Sequence, residues 1–301
     1  MDQLFGLARS SVDSLVDGLY LLALPAVAFA LLALLVKGRE AIAAAGRAAH
    51  EVRINLWLHV IDAVFMLPLL TLLIAAIAAG IEQLGLVRFQ TEVWAALGPY
   101  PTLFMVVFLG DFEGYWRHRF EHTRLIWPSH AIHHSDTEMT WLTLERFHPV
   151  NRITTTAIDS AFLVLLGFPT WAVVANTIVR HYYGYFIHAD LPWTYGPLGR
   201  LFVSPSMHRW HHARDVRYAG TNFATVFSVF DIAFGTYQGG LCQVPVGLDA
   251  DMGKGVGGQL VYPLKVWWAR WRAASAGPMR RPAEASIPPG EGTQVGAKRL
   301  T

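Results

Sequence analysis

Thirteen histidines stand among 301 residues, and they are unevenly spread. His118, His122, His130, His133 and His134 fall in a window of 17 positions, where an even scatter would put roughly 0.7. His208, His211 and His212 occupy five more. His118 and His122 are four apart and so share a helix face. His130, His133 and His134 follow an i, i+3, i+4 pattern that puts three imidazoles within about 100° of arc on a helix, and His208, His211 and His212 repeat it. Pro128 and Ser204-Pro205-Ser206 give each triplet a helix-start signal. The two segments, PSHAIHHSD and PSMHRWHHARD, read as two helices that present equivalent ligand faces to each other. Eight imidazoles exceed what one metal holds, since zinc takes four ligands and a catalytic zinc three plus water. Two five- or six-coordinate metals fit the count. An all-nitrogen donor set without thiolate suits iron that activates dioxygen. Asp111, Glu113, Glu121, Asp136, Asp190, Asp215 and Asp231 are the carboxylates that could orient the rings from behind.

The segments that must carry these histidines are apolar. Hydrophobic residues make up 53% of the chain and charged residues 15%, against about 25% charged in an ordinary soluble domain; mean hydropathy is +0.33. A net charge of +2 argues against a nucleic-acid partner. Cys242 is the single cysteine, so neither an internal disulfide nor a cysteine metal site is available. Four uncharged runs stand out: Gly18–Val36, Ala63–Ile81, Val93–Gly110 and Ser160–Val179. The first three read as single membrane spans. Lys37, Arg39, Arg47 and Arg53 place the first connection in the cytoplasm, so the histidine region after Asp111 also starts there. Histidines flank the fourth run on both sides, and one metal site cannot be built across a bilayer. That run is therefore expected to be a hairpin or re-entrant pair over 153–187, turning at Gly167-Phe168-Pro169, with legs of about 15 residues.

The expected fold is all-α: a polytopic membrane protein of three spans plus the hairpin, with a cytoplasmic helical cap that holds a histidine-ligated dimetal site. The expected divisions are a transmembrane region over 1–110, a histidine-box catalytic region over 111–240, a cap segment over 241–273 and a disordered tail over 274–301, which is rich in Pro, Gly, Ala and Arg. His50, His59 and His181 read as polar anchors at the membrane surface, and His148 as a structural or substrate-side residue. Trp57, Trp94, Tyr100, Tyr115, Trp116, Trp193 and Tyr195 read as an interfacial aromatic belt. Arg270, Arg272, Arg280 and Arg281 form a basic stretch suited to lipid headgroups.

From Gly110 to Tyr237, through DFEGYWRHRFEH, WPSHAIHHSD, FIHAD, PSMHRWHH and DIAFGTY, the sequence resembles the fatty acid hydroxylase and sterol desaturase superfamily of membrane di-iron proteins. The resemblance implies that His118, His122, His130, His133, His134, His208, His211 and His212 are metal ligands and catalytic. It adds His188 as a ninth. Some relatives carry a second histidine four residues earlier, where this chain has Gly184. The resemblance also implies two iron ions, dioxygen as co-substrate, a lipid substrate and a separate electron donor. The activity it implies is hydroxylation or desaturation of a sterol, a fatty acyl chain or a related lipid. The expected setting is a bacterial inner membrane with the site facing the cytoplasm. Two other readings stand beside it. The first two boxes resemble alkylglycerol monooxygenases, pterin-dependent enzymes that cleave ether lipids and tend to have Glu directly after the second histidine of the first box; here that residue is Thr123. A zinc-dependent membrane hydrolase would need a water-activating carboxylate beside its ligands.

Overall fold

The computed structural model describes residues 2–253 and 255–275. Among them the regular structure is helical, with no β-strand and one isolated bridge between Ala213 and Val246. Helix α1 (Asp2–Lys37) turns at Gly38, whose φ is +57°. Helix α2 (Glu40–Ile61) then runs back along it. A π-helical turn, Asp62–Met66, joins α2 to α3 (Leu67–Gln83) without a break in direction. The result is one helical stretch of 44 residues. Two helices, Val16–Lys37 and Glu40–Gln83, are long and apolar enough to cross a membrane.

The first two apolar runs do not lie side by side. A side chain at Gly18 would touch His59 Nε2 and Ala63 Cβ, so the start of the first run meets the start of the second. Because the turn at Gly38 is tight, Gly18–Val36 packs along α2, and Ala63–Ile81 continues beyond its lower end. The basic stretch expected as a connection is itself helical. The third run is also divided. Gly98, at φ +87°, separates α4 (Thr91–Leu97) from α5 (Pro99–Glu121).

The fourth run does fold back on itself. Helix α7 (Pro149–Leu165) and helix α8 (Thr170–His188), joined by a short turn, each pack on α5, and Arg180 of α8 donates to Asp159 of α7 at 3.1 Å. Their legs, of 17 and 19 residues, are longer than the 15 expected, because α7 begins at Pro149 and α8 continues to His188. Trp94 stacks on Phe168 with ring centroids 4.0 Å apart and donates its indole N–H to Leu166 O at 3.0 Å. It therefore packs against the turn instead of joining an aromatic belt. Gly167 holds φ +69°, and a Cβ there would come within 1.9 Å of Phe89 O. Gly167→Ala combines a left-handed β-carbon penalty of about 1–2 kcal/mol with a clash against backbone. The expected result is a drop of at least about 2 kcal/mol in stability, read as a lower midpoint of thermal unfolding in detergent.

Short elements cap the bundle. They are α6 (Trp127–His130), α9 (Pro205–His211) and α10 (Val229–Ala233). Tyr115 is fully buried, with its hydroxyl 3.0 Å from Thr236 Oγ1, so it too lies inside the cap. Helix α11 (Val256–Ser275) closes over α6 and α2. It runs to Ser275, two residues beyond the expected start of the tail; residues 276–301 lie outside the described residues.

Candidate metal centre

Four pieces of chain deliver the histidines. Helix α5 carries His118 on its last turn, and His122 caps its end. Helix α8 ends at His188. Helix α9 carries His208 and His211, and His212 caps it. Its start follows the expected signal: Ser204 is the N-cap, with Oγ accepting from Met207 N at 3.2 Å, and Pro205 opens the helix. The second box is not one helix. After α6 the chain makes a tight turn into a 3₁₀ turn, His133–Ser135. It nonetheless brings His130 and His134 to the same place.

All nine histidines converge, but in two groups. His118, His122, His130, His134 and His211 form one, and His133, His188, His208 and His212 the other; within each, the candidate ligand atoms lie within 4.8 Å of one another. The equivalent-face reading of the two triplets is corrected by this division. Successive helical side chains point about 100° apart, so His133 and His134 enter different groups, as do His211 and His212. The boxes exchange members. His130 and His134 join His211 in the first group, while His208 and His212 join His133 in the second. The fifth member of the first group has no counterpart at Gly184, where Leu144 fills the space that a side chain would take.

The hydrogen bonds behind the rings fix which nitrogens face inward. His118 Nδ1–H donates to Phe223 O at 2.8 Å and His211 Nδ1–H to Thr221 O at 2.7 Å. His188 Nδ1–H donates to Gly184 O at 2.7 Å, and His130 Nδ1–H to Asn151 Oδ1 at 3.0 Å. Carbonyl oxygens only accept, so each of these rings spends its one neutral-state proton on Nδ1 and turns an Nε2 lone pair inward. His118 Nε2 lies 3.0 Å from His211 Nε2 and 3.1 Å from His130 Nε2. Three lone pairs thus converge with no proton to share. Burial, reinforced by neighbouring imidazoles, holds His118 well below the usual imidazole pKa, and burial takes His211 down to about 3, so protonation does not relieve the conflict. A cation between the rings does. His122 Nε2 adds a buried nitrogen without a protein partner. In the second group the Nε2 atoms of His133, His188, His208 and His212 follow one another at 3.1, 2.9 and 3.2 Å. Burial lowers His188 to about 4. Both groups have the donor chemistry of a divalent metal site.

Three carboxylates support the rings through intermediaries. Glu121 accepts from Asn151 Nδ2 at 2.8 Å, and Asn151 accepts from His130. Asp111 accepts from the N–H groups of Thr225, Val226 and Phe227, and Asp231 from those of Phe223 and Ala224. Together they fix the loop whose carbonyls hold His118 and His211. Asp136 binds Asn55 and Thr143, Glu113 touches no ring, and Asp190 and Asp215 pair with surface cations. Asn151, Phe147, stacked 5.5 Å from His133, and Trp127, 4.9 Å from His122, carry no spacing signal in the sequence. The supporting carbonyls of Thr221 and Phe223 carry none either. His148 caps α7 and bonds Leu260 O. His59 is not an anchor at a surface but is buried, 2.8 Å from Glu145. His181 lies 3.4 Å from the same carboxylate.

Asn151→Leu removes the acceptor of His130 while nearly preserving volume. Losing such an outer partner typically costs 10–100-fold in metal affinity; a loss of at least about tenfold is expected, read by competition with a chelator.

Residues 103–236, which contain every one of these histidines, match the family model for fatty acid hydroxylase. Over that segment, a little under half of the chain, the sequence is similar to the fatty acid hydroxylase and sterol desaturase superfamily. The chain is 29% identical over 171 residues to an ornithine lipid hydroxylase of Rhizobium tropici, covering 55% of this chain and 52% of that one. It is 32% identical over 150 residues to the human alkylglycerol monooxygenase, covering 49% of this chain and 33% of that one. To a methylsterol monooxygenase of Arabidopsis thaliana it is 27% identical over 166 residues, covering 47% and 52%. The chain thus spans from about a third to about half of the length of these relatives. No solved structure matches it.

Proposed function

We propose that the chain is a membrane-bound, oxygen-dependent oxidoreductase that hydroxylates or desaturates a lipid at two histidine-held iron ions. The observation that carries this reading is the pair of inward-facing imidazole groups, five and four strong, in a domain shared with lipid hydroxylases, monooxygenases and desaturases. His118, His122, His130, His134 and His211 would hold one iron, and His133, His188, His208 and His212 the other. Iron bound there supplies the redox chemistry by which dioxygen, with electrons from a separate donor, oxidises an unactivated C–H bond. The protein contributes position and dryness. Phe223 packs against His118, His122 and His211 with centroids 5.0–5.6 Å away, and Phe147 and Trp127 close other sides. The backbone carbonyls and Asn151 keep the inward nitrogens deprotonated. With the apolar stretches Val16–Lys37 and Glu40–Gln83 in a bilayer, the site would lie beside it, within reach of a lipid chain. A bacterial inner membrane with the site on the cytoplasmic side completes the reading, resting on the basic residues around Lys37–Arg53.

Glu121 argues against a zinc hydrolase. Both its oxygens are engaged, one by Asn151 and Thr155 and the other by Arg117, so the carboxylate next to His122 is not free to activate water. A second oxidative reading, cleavage of an ether lipid, is supported by the match to alkylglycerol monooxygenases.

The test is dioxygen consumption by the iron-loaded, detergent-purified chain with lipid extract and a chemical reductant, paired with lipidomics of a deletion strain. Lipid products heavier by one oxygen, or lighter by two hydrogens, are expected, and an aldehyde product identifies ether cleavage. Lipid turnover that proceeds without dioxygen contradicts the proposal.

A further inference from the structure

An apolar groove of about 690 Å³ lies between α1, α2 and two loops of the cap, within the usual size of ligand pockets. Its helical walls are mostly alanine and leucine, with Phe29 on one side and Ala45 on the other. The small side chains leave volume between the helices. Ala189–Leu191, the residues that directly follow His188, line it as well. Four charged residues also line it, and they are of both signs: Lys37 and Arg53, Glu138 and Asp190. Lys37 pairs with Asp190, which also accepts from Arg209 at 3.2 Å. The charged lining therefore sums to zero from these four residues, with cations and anions both present. Lys37 and Asp190 match each other, which leaves Arg53 and Glu138, one of each sign, without an ion-pair partner among the described residues. A purely anionic head group would meet Glu138, and an uncharged one would leave both unmatched. A head group with an ammonium and an acidic group matches both signs.

We propose that this groove binds the hydrocarbon chain of a zwitterionic membrane lipid, with its head group between Lys37, Arg53, Glu138 and Asp190. That this lipid is the substrate rests on the oxidoreductase reading, whereas the binding itself does not.

The test is native mass spectrometry of the full-length chain in detergent, titrated separately with phosphatidylethanolamine, phosphatidylglycerol and diacylglycerol. One phosphatidylethanolamine per chain is expected, bound at least about fivefold more tightly than either other lipid. Ala45→Trp fills the groove and is expected to weaken binding about tenfold or more, while Ala43→Trp, exposed on the same helix outside the groove, leaves it within about twofold. Glu138→Lys makes the mouth cationic and is expected to turn the preference toward phosphatidylglycerol. Equal binding of the three lipids, or the same loss from Ala43→Trp as from Ala45→Trp, overturns the proposal. Lipid oxidation that persists undiminished in Ala45→Trp overturns the groove as the substrate's seat and leaves the oxidoreductase reading intact. Selective binding without any turnover leaves the groove standing and removes that reading.

Discussion

His133→Ala is expected to lower iron from two per chain to about one and to reduce lipid oxidation by more than about 100-fold, a loss at or beyond the top of the range for outer-shell partners. The second group has only four imidazoles, and removing one leaves three. His211→Ala acts on the five-membered group, leaving four, so it is expected to retain more metal than His133→Ala while losing comparable activity. The asymmetry follows from adjacent residues serving different groups. His50→Gln, on an exposed turn of α2 and outside both groups, should leave both readouts unchanged. Metal content by mass spectrometry and oxygen uptake, measured on variants that insert normally into membranes, check these outcomes. Equal metal loss from His133→Ala and His211→Ala would contradict the advantage assigned to the fifth imidazole.

Asp111→Ala is expected to be the most destabilising single change remote from the rings. The carboxylate is fully buried and accepts from three consecutive backbone N–H groups, at 3.0, 3.0 and 2.7 Å. Each buried donor left without a partner costs about 1–3 kcal/mol, so a total of at least about 3 kcal/mol is expected. In a chain of this size that is a fall on the order of 10 °C in the unfolding midpoint. The second consequence separates this change from simple loosening. The freed segment continues into Phe223 and Thr221, whose carbonyls orient His118 and His211, so iron in the five-membered group should fall before iron in the other. Asp111→Asn keeps one acceptor oxygen and should recover part of both losses. Calorimetry in detergent and metal counting read the two effects separately.

Eight of the nine candidate ligands were legible in the sequence because imidazole spacing is a local property; His188 came only from the family resemblance. The i, i+3, i+4 triplets and the prolines before them could be read without tertiary information. The helical hairpin was legible for a different reason: histidines on both sides of one apolar run demand a return to the same side. The assortment of the histidines was not legible. Whether His133 and His134 face one metal or two depends on where α9 lies across from them, and no local pattern holds that. The ring supports escaped too, since three are backbone carbonyls and the fourth, Asn151, sits at the start of α7 with no spacing signal. The way α1 folds against α2 and α3 was not legible, because apolar run length signals a span but not its neighbour. Gly38 turns the chain so sharply that the first run meets the basic half of the next helix. Trp94 and Tyr115 followed interfacial statistics in the sequence but are claimed by the α7–α8 turn and the cap interior.

The central claim is that the two imidazole groups hold two irons. Its most direct test is the metal content of the full-length chain purified in detergent after iron-replete expression. The account predicts two irons per chain, with zinc and copper well below stoichiometric. One metal per chain or fewer, or a full complement of zinc that iron does not displace, would contradict it.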